Sequence, residues 1–80
     1  MNVEISSDNI FWTDIVVHSA TGDLVFDGWL EMDGGEWVLD RKAGGHGEQV
    51  KKWRGRRDFL LVLADALRWI NTDIAKAEGK

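Results

Sequence analysis

The stretch from Leu24 to Arg41, LVFDGWLEMDGGEWVLDR, decides how this chain folds. Its first half alternates: Leu24, Phe26, Leu30 and Met32 fall on one face, Val25, Asp27, Trp29 and Glu31 on the other, the period of two that marks a strand. Asp33-Gly34-Gly35 then interrupts the run with residues that accept the positive φ of a tight hairpin turn. Glu36 to Arg41 returns as a second strand, with Trp37 and Leu39 on the face of Met32. An antiparallel pair with one apolar face is the nucleus of the expected fold.

Working towards the N-terminus, Ser19 to Asp23 (SATGD) is a turn cluster, and residues 10–18 (IFWTDIVVH) are rich in the β-branched and aromatic types that favour a strand. A short strand around Val3–Ser6 is the alternative that would make four. Towards the C-terminus, Ala43 to Gly47 (AGGHG) reads as a loop, and residues 43–57 as a flexible connector. From Asp58 to Ala77 the period changes to 3.6, with Phe59, Leu63, Ala66, Leu67, Ile70 and Ile74 in one stripe and Asp58 placed to cap the helix. The expected architecture is α+β: a small antiparallel three-stranded sheet packed on one C-terminal α-helix, β-β-β-α. One domain spans residues 1–80, with the sheet over about 3–42 and the helix over about 58–77.

Composition narrows the function classes. The chain has 80 residues, five tryptophans and no cysteine, so a disulfide framework is excluded and a reducing cytoplasm is the expected location. The N-terminus lacks a charged region followed by an apolar stretch, so no signal peptide is expected. The longest apolar run, Phe59 to Ala64, is too short for a bilayer, and no membrane association is expected. The net charge of −4 conceals a division. Residues 1–40 contain nine carboxylates and no lysine or arginine, whereas residues 41–80 carry ten bases and five acids. Such asymmetry sets the field around each face and so bears on partners.

The chemistry of sites gives little. His18 and His46 are the only imidazoles, lie 28 positions apart and have no cysteine beside them, and neither zinc nor calcium-loop spacing occurs. Asp33-Gly34-Gly35-Glu36 reads as an acidic hairpin. His18 beside Ser19 is only a sequence neighbour, and no Gly-x-Ser-x-Gly elbow is present. Gly44-Gly45-His46-Gly47 lacks the spacing of a phosphate loop. No enzymatic activity, cofactor, metal or catalytic residue is therefore expected.

Two constellations remain. Facing away from the helix, the predicted outer sheet face sets Trp12, Val16, Val25, Trp29 and Val38 among Asp14, Asp27, Glu31, Glu36 and Asp40, an apolar centre inside a charged rim. Its expected docking residues are Trp12, Asp27, Trp29, Glu31, Glu36, Val38 and Asp40, with Trp29 exposed at the centre and Trp37 in the core. The second is Lys51-Lys52-Trp53-Arg54-Gly55-Arg56-Arg57, five cations interleaved with an aromatic just before the helix. Cations neutralise phosphates and an exposed tryptophan stacks on a base, whereas a Trp53 folded into the core would do neither.

In size, acidity and simple build the chain generally resembles small stand-alone proteins of phages and mobile elements, among them inhibitors of host defence and immunity proteins. The resemblance covers style and carries no functional positions. The outer face itself gives the first reading, a non-enzymatic binding module that docks through its acidic face, centred on Trp29, on the basic surface of a partner such as a nucleic-acid-handling protein. The alternative is a nucleic-acid-binding domain acting through Lys51, Lys52, Trp53, Arg54, Arg56 and Arg57. A third reading is a homodimer in which the acidic region of one copy meets the basic segment of another.

Overall fold

The computed structural model describes residues 2–9, 11–43, 45–55 and 58–74, the side chains of Asp8, Asp73 and Ile74 excepted. Five strands follow one another in chain order and pair antiparallel with their neighbours: β1 (Asn2–Asn9), β2 (Trp12–His18), β3 (Leu24–Asp33), β4 (Glu36–Ala43) and β5 (His46–Trp53). The helix α1 (Phe59–Trp69) packs on one face and continues as a wider turn over Ile70–Ile74. The α+β class and the C-terminal helix match the sequence reading, but the strand count does not. Three or four strands were expected; β1 is a full strand, and β5 occupies most of the segment read as a connector.

The central hairpin forms as the pattern demands. Asp33 pairs with Glu36, and Gly34 and Gly35 adopt φ of 60° and 83°, a two-residue turn whose twist suits the strands it joins. The SATGD turn closes on the Ser19 hydroxyl, which accepts from the backbone N–H of Thr21 and Asp23. At the helix start the Asp58 carboxylate accepts from the Leu60 N–H at 2.9 Å, as its position predicts.

Cross-strand register sorts the side chains. On the helix side Met32, Trp37 and Trp53 form one row, Thr13, Leu30 and Leu39 the next, and Val17 and Phe26 another. With Ile15 and the helix residues Val62, Ala66 and Ile70, these make the core. Trp37 lies against Phe59 with ring centroids 5.3 Å apart, which ties the first helical turn to β4. Val62, absent from the expected stripe, is buried, while Phe59, Leu63 and Leu67 are half-buried. The helix is thus rotated slightly on the sheet relative to the periodicity reading. Residues 75–77 of the expected helix lie outside the described residues.

Phe11, whose place in the apolar run 10–18 predicts an inward side chain, and Leu24 are both exposed. Phe11 stands in the turn between β1 and β2, where its carbonyl accepts from the Met32 N–H at 3.0 Å and its ring faces solvent. Leu24 is displaced by a bulge: Val17 pairs with Phe26 but His18 with Leu24, leaving Val25 as the extra residue. A bulge re-aims the residues on either side of it, which a strict alternation does not anticipate. No described helix is long and apolar enough to cross a membrane.

Candidate functional site: the outer face of the sheet

Register also builds the face away from the helix. One row runs Ser6, Asp14, Trp29, Asp40 and Gln49 across the five strands; the next runs Trp12, Glu31, Val38 and Lys52. The seven predicted docking residues are brought together in these rows and the positions flanking them. Trp12 and Trp29 are diagonal neighbours, and their rings stack with centroids 5.2 Å apart and an interplanar angle of 11°. Offset stacking of this kind adds about 0.5–1.5 kcal/mol beyond area burial.

Each indole is also held by the acid two residues on, which shares its face. Trp12 Nε1 donates to Asp14 Oδ1 and Trp29 Nε1 to Glu31 Oε1, both at 3.3 Å. Trp29 extends across β4 to β5, where a side chain at Gly47 would meet its ring at 2.5 Å. Glycine at position 47 is therefore the condition for this indole to lie flat. Trp29 is accordingly half-buried, not exposed as expected, and Trp12 is the more open of the pair.

Beneath this cover the face has a small interior of its own. Val38 is only 5% exposed and Asp40 only 8%, although the helix lies on the other side of the sheet. Burial raises the Asp40 carboxyl from 3.8 to about 6, reinforced by a hydrogen bond with Glu31 and by the charges of Glu31 and Asp33, while the Trp29 indole pulls it partly back. Its Oδ2 is buried without a hydrogen-bond partner. Around the rim, Lys42 pairs with Asp27 and Lys52 with Glu36, each at 3.5 Å. Glu4, Asp14, Glu31 and Asp40 are further carboxylates on this face. Beside Trp29 a depression of about 280 Å³ is lined by Lys42, Gly45 and His46.

The basic segment is assembled differently. Trp53 is 7% exposed, packs in the core and donates from Nε1 to Asp65 at 3.0 Å, so its indole is not offered to a base. Lys51 lies over that ring at 5.5 Å, and Lys52 is engaged by Glu36. Arg54 is exposed, and Arg56 and Arg57 lie outside the described residues. A cleft of about 470 Å³ runs beside Trp53 along Leu61, Asp65 and Arg68, mixed in charge and open to solvent.

Sequence reasoning missed Asp14 as an indole acceptor and Gly47 as the floor under Trp29. A signal for the first existed: Trp-x-Asp at 12–14 and Trp-x-Glu at 29–31 set an acid beside an indole on the same strand face. Nothing local marks Gly47, which meets Trp29 only through two strand pairings. Among the described residues no group of three or more potential ligands is placed to hold a metal. Comparison of the chain with protein-family profiles, with curated proteins and with solved structures finds no match.

Proposed function

We propose that this is a non-enzymatic protein-binding module whose outer sheet face, centred on the Trp12–Trp29 stack, docks on a cationic surface of another protein. The observation that carries this reading is the buried Asp40 carboxylate under Trp29, with one oxygen lacking a donor. An ionised, desolvated acceptor without a partner is costly in a free domain and is relieved when a lysine or arginine approaches. The flat aromatic pair offers the same cation a π-face beside the Asp14 and Glu31 carboxylates. A centre of tryptophan within a charged rim is the anatomy of a binding hot spot. A nucleic-acid-handling protein is the finer proposal, since carboxylates arrayed on a sheet occupy sites built for phosphates. A small inhibitor of the phage or mobile-element kind, acting in the cytoplasm, fits that chemistry.

The test is capture from nuclease-treated extract of the source cells with the wild-type chain and with Trp12→Ala/Glu31→Gln. The expected partner is retained by the wild type, weakened by salt, and lost by the double variant, whose circular dichroism is unchanged. A partner held equally by both chains, or released by the nuclease, sinks this reading and turns attention to the basic segment.

A further inference from the structure

The sheet ends in two edges that are built differently. β5 carries the devices by which natural sheets discourage pairing at an edge: a bulge at Val50, adjacent lysines at 51 and 52, and a glycine at 47. β1 has one such device at its far end, a bulge at Asp8, and the stretch Asn2–Ser7 has none. Its six residues pair with β2 in unbroken register and contain one charge, Glu4. Val3 and Ile5 lie opposite Val17 and Ile15, so they face the helix side, yet they are 38% and 45% exposed while those partners are fully buried. Among the described residues the cover over the core thus stops at β2, and Val3 and Ile5 form an exposed apolar margin at β1.

We propose that β1 is a self-association edge, on which β1 of a second copy pairs antiparallel about a two-fold axis at Ile5. Two five-stranded sheets then join edge to edge, with Val3 and Ile5 of both copies closing one apolar seam on the helix side. The occupant follows from self-complementarity. Directly opposed residues in an antiparallel pair share a face, so odd positions of β1 meet odd and even meet even. An axis at Glu4 opposes two Glu4 carboxylates, and an axis at Ser6 sets Ile5 against Ser7 and Ser6 on itself, joining no apolar pair. The axis at Ile5 places Glu4 opposite Ser6, Val3 opposite Ser7 and Ile5 on Ile5. Of these three registers, only that one parts the like charges while joining apolar groups. A seam of two short strands buries less than the roughly 1,200 Å² of a standard stable interface, so the dimer depends on concentration. It leaves the outer face over β2–β4 open, so the two surfaces act independently.

Sedimentation equilibrium of the full chain from about 1 μM to about 1 mM reads the association directly. The wild type is expected to pass from monomer to dimer within that range. Ser6→Glu opposes Glu4 twice per dimer and should weaken association about threefold to tenfold, while Ser6→Lys should strengthen it by a similar factor. Ser6 is exposed, so both variants keep the fold. In this cysteine-free chain Ile5→Cys should give a covalent dimer under mild oxidation far faster than Leu61→Cys on the exposed helix surface. A monomer throughout the range overturns the proposal. So do two Ser6 variants that shift association in the same direction, or two cysteine variants that cross-link at equal rates.

Discussion

Trp37 and Trp29 sit on neighbouring strands of one sheet, the first under the helix and the second on the opposite face. Trp37 is held between Phe59, Met32 and Trp53, so secondary structure closes over it from above and from both sides. Trp29 is covered only by another side chain, Trp12, and lies over a strand that makes room for it with Gly47. Both are withdrawn from water, but by means of unequal cost to undo. Helix-side burial is shared among many contacts and is lost only with the fold. Outer-face burial depends on two rings, two indole hydrogen bonds and one missing Cβ, and it can be opened while the sheet persists. A surface meant to receive a partner is better served by the second kind, because binding then rearranges side chains and leaves the core alone.

The sharpest break in that comparison is Trp37→Ala, which leaves a cavity in the helix-covered core. Its cost should be about 3–5 kcal/mol, read as a lower midpoint in urea with little change in slope. In a domain of this size that is a large part of the total stability. If Trp37→Ala costs no more than Trp29→Ala, the two faces do not differ as described.

Gly47→Val attacks the outer interior instead. Its side chain collides with the Trp29 ring, which has solvent to move into, so the expected loss is about 1–3 kcal/mol. The ring must lift off β5 and leave its stack on Trp12. Loss of upfield-shifted indole resonances, with the Trp37 and Trp53 signals unmoved, would confirm that the two interiors are separable. Simultaneous loss of all four signals would show them to be one.

The smallest effect, and the most specific, is at Asp40. Its folded pKa of about 6 lies above the ordinary 3.8, so the native state holds this proton more tightly than the unfolded chain. The stabilisation from that proton is complete below about pH 4 and is lost as pH rises through about 6. The wild type should therefore lose on the order of 1–2 kcal/mol between pH 4.5 and pH 7.5 from this group. Asp40→Asn should remove that part of the slope and be the more stable protein at pH 7.5, with little difference at pH 4.5. An unaltered slope in Asp40→Asn would mean that the carboxyl is better solvated than its 8% exposure implies.

What the chain alone determined is what neighbours in sequence enforce. Alternation over Phe26–Leu30, the glycine pair at 34–35, the Asp58 cap and the change to a 3.6 period each act within a few residues, and each is found where the sequence places it. The outer-face places of Trp12, Asp14, Trp29, Glu31, Val38 and Asp40 were legible for the same reason, whereas Val25, read as outer, packs against the core at the bulge. Tertiary structure decided the rest. β5 was hidden because a bulge at Val50 breaks its alternation, and its glycine and two lysines are those of a strand paired on one side only. Trp53 falls in register with Trp37 only after that bulge, so the basic segment's aromatic went to the core and its role as a stacking platform could not be judged locally. The depth of Val38 and Asp40 depends on an indole reaching across from β3 to Gly47 of β5. Periodicity tells which way a side chain points; how deeply it is buried is set by what another strand lays over it.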